Sequence, residues 1–309
     1  TTDIPAILSY LRFLGSAVPE MLSIGFVFLL AGLGFEMAIV PFHLWIPDAY
    51  DGAPPMIAAL LAAAGKIAGF AAFIRLAVYL SPVFADLNWS YIMAFLALIT
   101  MTWGNVAALM QKRFTRMLAY SSIAHAGYVL VGLTFVTDPK LAIFALAASL
   151  YHLFNYAIMK GGSFLAAFTV EESLGGVEVE VYNGLGRRMP LTAFSLTMLL
   201  LALAGIPPLN GFWSKVFLFW TAISGDMGWL AVAMAVNSAF SVGYYGWIIK
   251  RMYVDRPRPS GTSGGEEPPA PLLAILVLAL LTIITGILYV QVYDLMVKAA
   301  TSLYTTPSF

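Results

Sequence analysis

Eight stretches of this sequence are each long and apolar enough to cross a lipid bilayer. Of the 309 residues, 61% are hydrophobic and only 10% are Asp, Glu, Lys or Arg, whereas an ordinary soluble domain carries about 25% charged residues. A soluble core cannot bury this much apolar surface, so the pattern predicts an all-α, polytopic membrane helix bundle and excludes a soluble enzyme. The predicted spans are 20–45, 55–80, 89–110, 115–136, 141–170, 191–223, 228–253 and 272–297.

The predicted bundle occupies residues 20–297, between two shorter segments. Residues 1–19 are too short to cross a bilayer. Their apolar side chains recur at helical spacing beside Arg12, which predicts an interfacial helix. Residues 298–309 form a predicted tail. Inside the bundle, residues 254–271 are rich in Pro, Gly and Ser. This composition predicts a flexible loop.

Basic residues cluster in the connections at one end of the predicted spans. By the positive-inside rule, these connections lie in the cytoplasm or its equivalent. We therefore predict a multi-pass protein of an energy-conserving membrane, a prokaryotic plasma membrane in the first instance, with both chain ends on the opposite side. The clustered residues are Lys112, Arg113, Arg116, Arg187, Arg188, Lys250, Arg251, Arg256 and Arg258, against Arg12, Lys140 and Lys298 at the other end.

Proline and glycine interrupt two of the predicted spans, near residues 39–48 and 204–211. Proline removes a backbone donor and clashes with the preceding turn. Unpaired backbone is tolerated inside a bilayer only beside protein or a water-filled cavity. Two broken helices are typical of transporters built from inverted repeats, and kinks that serve only packing are the alternative. The breaks contain Pro41, Pro47, Gly205, Pro207 and Pro208.

Six ionisable side chains lie inside the predicted spans, where a charge at the bilayer centre costs about 2.5–3.5 kcal/mol. Such residues are tolerated where they face one another or water, so we predict that they form a buried proton relay. A desolvated lysine releases its proton more readily than one in water, and a neighbouring carboxylate reverses this effect. Alternating proton affinities can therefore pass protons along the row. The six are Glu36, Lys66, His125, His152, Lys160 and Lys215.

Helical spacing predicts that several of these residues share a polar face. On the fifth span His152, Tyr156 and Lys160 lie four residues apart, and residues at this spacing are neighbours on a helix surface. The same applies on the fourth span to Ser121, His125 and Tyr128.

Structural interpretations of individual residues stay open at this point. Either histidine can be a neutral packing residue bonded to a carbonyl, and Lys160 lies nearer one end of its span than Lys66 or Lys215 do to theirs. His43, at the first break, can cap freed backbone. Asp48 and Asp51 lie in a turn where they can cap helices or pair with a basic loop.

The sequence shows no site for a redox cofactor or a metal. It contains no Cys, which excludes disulfides, thiolate metal sites and iron–sulfur ligation. It also has no Gly-rich phosphate loop, no nucleophile elbow and no histidine pair with haem or zinc spacing. Basic and acidic residues number 16 each, so no charge excess indicates a nucleic-acid partner. Any electron chemistry is therefore expected in partner subunits.

Four motifs stand out in the sequence: VPFHLWIPDAYDGAP at 40–54, LAYSSIAHAGY at 118–128, LAGIPP at 203–208 and GFWSK at 211–215. They resemble the antiporter-like membrane subunits of respiratory complex I, most closely the subunit called N in bacteria and 2 in mitochondria. The resemblance implies a fourteen-helix fold of two inverted five-helix repeats, with a proton path along the membrane midplane. This chain, which begins at Thr1, is similar to the last eight helices only, so six helices and the family's glutamate are expected outside it.

The resemblance also implies roles for individual residues. Lys66 matches the family's central lysine after the first break, Lys215 the ionisable residue of the second broken helix, and His125 a polar position of the central relay. Glu36 stands where the family usually has a lysine, which suggests that it pairs with Lys66. Lys160 is unusual for subunit N and resembles the sister subunits and the multi-component cation/proton antiporters.

The first functional hypothesis is a proton-translocating subunit of a complex I type oxidoreductase of NADH or a related donor and quinone, with no redox catalysis in this chain. The resemblance implies sister antiporter-like subunits and a quinone-binding subunit as partners. Flavin, iron–sulfur clusters and quinone are expected in those partners and no cofactor in this chain. The alternatives are a subunit of a sodium/proton antiporter, favoured by Lys160, and a structural spacer with a degraded relay, favoured by Glu36.

Overall fold

A computed structural model describes residues 6, 9, 10, 13, 20–81, 88–257 and 265–305. Within these ranges the chain is helical and forms no strand, apart from an isolated bridge between Arg113 and Glu178. The interfacial helix predicted over residues 1–19 lies almost wholly outside the described residues. The same holds for residues 258–264 of the predicted loop and 306–309 of the predicted tail.

Twelve α-helices are described in these ranges. The third contains a widened π-helical turn over Leu61–Gly65, and a short 3-10 turn over Val179–Tyr182 precedes the seventh. The helices are α1 (Glu20–Met37), α2 (Trp45–Gly52), α3 (Pro55–Tyr79), α4 (Trp89–Leu109), α5 (Phe114–Leu133), α6 (Ala142–Leu174), α7 (Leu185–Arg188), α8 (Pro190–Ala204), α9 (Asn210–Ser224), α10 (Gly228–Tyr253), α11 (Pro269–Ile287) and α12 (Tyr289–Thr305).

Five of these helices, namely α3, α4, α6, α10 and α11, are individually long and apolar enough to cross a membrane. Ile24–Met37 within α1 and Pro190–Ala204 are apolar but shorter. They are shorter because each helix ends at one of the two intervals that contain proline or glycine. Helix α1 ends at Met37 and α2 begins at Trp45, while α8 ends at Ala204 and α9 begins at Asn210. The chain is therefore a multi-pass membrane protein with two discontinuous helices.

The last predicted span, residues 272–297, is wrong as a single helix. The structure divides it into α11 and α12 at Leu288. Tyr289, the first residue of α12, stacks on Trp213 of α9 with ring centroids 3.7 Å apart and an interplanar angle of 7°. Beyond this point Gln291 and Asp294 interrupt the apolar run, so α12 packs one face on α6 rather than prolonging α11.

Helices α5 and α6 form the centre of the described bundle. Every α5 residue from Phe114 to Leu133 is buried except Arg116 and Tyr120, and α6 contacts α3, α5, α8, α9, α11 and α12. Glycines allow α4 to approach α5 closely, because a Cβ built at Gly127 would lie 2.5 Å from the Met101 nitrogen. This close approach fixes the rotation of α5 and thereby the direction in which its polar side chains point.

We expect Gly127→Ala to destabilise the protein, although alanine normally favours a helix. The added methyl group must displace the α4 backbone, and overpacking of this kind costs about 1–3 kcal/mol. The matched control is Gly246→Ala on α10, because a Cβ there meets nothing within 4 Å. Thermal unfolding of the detergent-solubilised protein measures the difference, and equal midpoints for the two variants would contradict the packing argument.

Candidate functional site

Three lysines are buried in the interior of the bundle. Lys66 of α3, Lys160 of α6 and Lys215 of α9 are 2%, 0% and 4% exposed. The ammonium of Lys66 donates to the Ser122 carbonyl on α5. No Asp or Glu is buried in the part of the chain that the structure describes, so none of the three lysines rests on a buried carboxylate there.

Lys66 and Lys215 owe their positions to irregular backbone. Lys66 follows directly on the π-helical turn of α3, and such turns often occur at functional sites. Lys215 lies in the second turn of α9, and its Nζ reaches back across the break to the Ala204 carbonyl at 2.8 Å. That carbonyl ends α8 and lacks a helical donor, so the break itself provides an acceptor for the ammonium.

Two of the lysines also hydrogen-bond to hydroxyl groups. Lys215 Nζ lies 2.9 Å from Ser238 Oγ on α10. Lys160 Nζ donates to Ser121 Oγ at 2.7 Å and to the Leu118 carbonyl at 2.9 Å, both on α5. Ser121 in turn bonds to the hydroxyl of Tyr245. The hydrogen-bond partners of each lysine therefore lie on helices other than its own.

Two histidines connect α5 and α6 to the second break. His125 Nδ1 lies 3.1 Å from His152 Nε2, and His152 Nδ1 lies 3.0 Å from Ser214 Oγ. Ser214 is the neighbour of Lys215 in the sequence. Both imidazoles are buried. Since each neutral imidazole carries one N–H and one acceptor nitrogen, this row can pass a proton by an exchange of tautomers.

Tyr156 lies between the histidine row and Lys66. Lys66 Nζ is 5.7 Å from the centroid of the Tyr156 ring, and the His125 ring is 5.6 Å from it. The faces of α5 and α6 that helical spacing predicts thus meet each other. The structure brings five of the six ionisable residues into one buried cluster: Lys66, His125, His152, Lys160 and Lys215.

Glu36 is the exception, because its side chain is exposed. It lies against the glycines that flank Lys66 in α3: a Cβ built at Gly69 would be 2.8 Å from Glu36 Cγ. The Lys66 ammonium instead donates to the Ser122 carbonyl on α5. Over the described ranges Glu36 and Lys66 form no ion pair, so the pairing suggested for them is not present.

Residues near the first break take structural positions. The Val40 amide, which the break leaves without a helical acceptor, donates to Thr100 Oγ1 at 3.1 Å. His43 is buried and meets the edge of Trp103 with ring centroids 5.9 Å apart. Thr100 rather than His43 therefore supplies the bond to this freed amide.

Asp48 and Asp51 form ion pairs with basic residues at the start of α5. This agrees with the second interpretation of these residues, pairing with a basic segment rather than helix capping. Arg116 Nη2 lies 2.8 Å from Asp48 Oδ1, and Arg113 Nε lies 2.9 Å from Asp51 Oδ2. Thr115 Oγ1 donates to Asp51 Oδ1 at 2.5 Å. These contacts anchor α2, the short helix after the first break, to α5.

Sequence reasoning missed a set of buried amides and phenols on α4 and α10. The Tyr244 hydroxyl donates to Asn105 Oδ1 at 3.0 Å, and Asn105 Nδ2 donates to Asn237 Oδ1 at 3.3 Å. A signal for them exists, because Asn237, Ser241 and Tyr244 recur at helical spacing within an apolar span. A search restricted to ionisable residues passes over it.

The chemistry open to this arrangement is proton transfer. Hydrogen bonds link His125, His152 and Ser214, the neighbour of Lys215, and the Tyr156 ring lies between His125 and Lys66. Among the residues the structure covers, no group of three or more His, Asp or Glu is placed to hold a metal ion.

Comparison with known proteins identifies the family. A family model described as "NADH:quinone oxidoreductase/Mrp antiporter, TM" matches residues 1–241. The chain belongs to this family. F420H2 dehydrogenase subunit N of Methanosarcina mazei is 39% identical over 287 residues, which are 90% of this chain and 57% of the relative. NADH-quinone oxidoreductase subunit N of Dehalococcoides mccartyi is 38% identical over 305 residues, 96% of this chain and 62% of the relative.

The fold of the family agrees with these sequence matches. A chain of the membrane-bound sulfane sulfur reductase, an archaeal respiratory membrane complex, superposes with a TM-score of 0.79 at 32% identity. The match covers 88% of this chain and 54% of that one. The resemblance to antiporter-like subunits is thereby confirmed, and this chain spans little more than half the length of the relatives that it matches.

Proposed function

We propose that this chain is the proton-translocating part of an antiporter-like subunit, of the N type, in a membrane-bound quinone oxidoreductase related to complex I. The observation that carries the proposal is the buried cluster of Lys66, His125, His152 and Lys215, in which the two histidines connect α5 and α6 to the second broken helix. It supplies titratable groups across the bundle and, in the described residues, no buried carboxylate that would hold a cation permanently.

In this proposal electron transfer takes place in other subunits. Flavin, iron–sulfur clusters and quinone are held there, and sister antiporter-like subunits and a quinone-binding subunit are the membrane partners. The names of the relatives support this, since F420H2 dehydrogenase and NADH-quinone oxidoreductase are both electron-transferring enzymes. We place the chain in a prokaryotic plasma membrane with its basic connections in the cytoplasm.

A sodium/proton antiporter subunit is the second candidate, because the family description includes Mrp antiporters and Lys160 is buried in the same cluster. Everted membrane vesicles separate the two. We expect donor-driven acidification of their lumen at full rate without sodium, and mass spectrometry of the purified complex should find iron–sulfur and quinone-binding subunits. Sodium-dependent proton exchange that proceeds without electron flow, with no redox subunit co-purifying, would overturn the first candidate in favour of the second.

A further inference from the structure

Within the part of the chain that the structure describes, three ammonium groups are buried without a carboxylate beside them and need another source of stabilisation. Desolvation of a charge is expensive unless it is paired and hydrogen-bonded. The acceptors that the lysines contact are neutral: a carbonyl for Lys66, a carbonyl and a hydroxyl each for Lys160 and Lys215. Each ammonium has three N–H donors, so these bonds leave at least one donor per lysine for a further group.

Each buried lysine has its Nζ over the face of one tyrosine ring. The Nζ-to-centroid distance is 5.2 Å for Lys215 over Tyr128 and 5.9 Å for Lys160 over Tyr245, beside the 5.7 Å of Lys66 over Tyr156. All lie within the roughly 6 Å over which a cation and an aromatic face attract one another. In every case the ring comes from a different helix than the lysine.

The three rings are themselves buried, at 1%, 2% and 0% exposure for Tyr128, Tyr156 and Tyr245. Cation–π attraction is worth most in such desolvated places. Other titratable groups close to Tyr128 include His125 and His152, whose ring centroids lie 5.6 and 5.9 Å from its own. Neither of them supplies a negative charge to Lys215.

We propose that the faces of Tyr128, Tyr156 and Tyr245 are the counter-groups of Lys215, Lys66 and Lys160, and stabilise their protonated forms in place of carboxylates. The tyrosines are positioning residues, since they act through the lysines. This arrangement suits a relay, because a ring face stabilises an ammonium without accepting its proton, whereas a carboxylate competes for it. The inference rests on the proposed function, to which it adds how the protonated form of each lysine is stabilised.

A series of ring variants at position 128 tests the proposal in the complete complex. Tyr128→Phe keeps the ring face and removes the hydroxyl. Replacement by mono-, di- and trifluorophenylalanine then weakens the negative face stepwise at nearly constant shape. We expect near-normal proton uptake per electron in proteoliposomes for Tyr128→Phe and a progressive loss of about tenfold across the fluorinated series.

Tyr151 of α6 is the matched control position. It is fully buried and its ring meets Phe217 and Tyr293, with no lysine recorded over its face within the described ranges. The same series there should leave proton uptake unchanged. A flat response at position 128, or a complete loss already in Tyr128→Phe, would overturn the counter-group role.

Lys215→Met separates this inference from the function on which it rests. If Lys215→Met stops translocation while the fluorinated series has no effect, the lysine acts in transfer without help from the ring, and only the inference fails. If Lys215→Met translocates normally, the proposed function fails with it.

Discussion

Lys215→Met is expected to assemble into its complex and to lose proton translocation by about a hundredfold, the scale on which a positioned acid–base group acts. Lys215 is the titratable group at the second break, and its Nζ joins the Ala204 carbonyl to Ser238. Methionine fills a similar volume without a donor. Proton uptake per electron transferred, measured in proteoliposomes with a pH-sensitive dye, gives the loss, and native electrophoresis verifies assembly.

Two further variants serve as controls. One tests whether the site needs a transferable proton rather than a fixed charge, and the other tests whether the loss of any lysine has the same effect. Lys215→Arg keeps a cation that cannot release its proton, so it should fail nearly as badly as Lys215→Met. Lys250→Met removes a lysine from the end of α10, where the side chain is 61% exposed and faces Asp255 at 3.6 Å, and should translocate normally. Full activity of Lys215→Arg would show that a fixed charge, not a transferable proton, is what the site needs.

His152→Phe is expected to cause a loss of at least about tenfold, because it cuts the row between His125 and Ser214, and general acid–base steps contribute on this scale or more. Phenylalanine keeps the ring shape that packs against His125 with centroids 5.3 Å apart. The measurement is again proton uptake per electron, now combined with its dependence on deuterated water.

The control for His152→Phe is Tyr151→Phe, the preceding residue of α6. Tyr151 is equally buried, and its hydroxyl lies 3.4 Å from the Thr285 carbonyl, away from the histidines. We expect little change in uptake. His152→Gln, which keeps an amide donor and an acceptor, should retain part of the activity only if ordered water bridges the shorter side chain. Unchanged uptake in His152→Phe would exclude the histidine row as the path.

The sequence alone was enough to predict the fold class and five members of the buried cluster. Long apolar runs require lipid around them, and a run around Lys66 or Lys160 forces that lysine into the interior whatever its neighbours are. Proline and glycine placed both interruptions, since they remove donors and release the helix irrespective of tertiary context. Spacing within α6 put His152, Tyr156 and Lys160 on one face, because helical geometry alone sets this relation.

Which groups meet depends on how the helices pack against one another. Periodicity fixes directions within one helix, but the rotation and depth of one helix against another depend on packing such as the contact of Gly127 with Met101. For this reason the bond between His125 and His152, the rings over the lysines and the exposure of Glu36 could not be predicted. The end of α11 was missed for the same reason, because the stacking of Tyr289 on Trp213 joins residues far apart in the sequence.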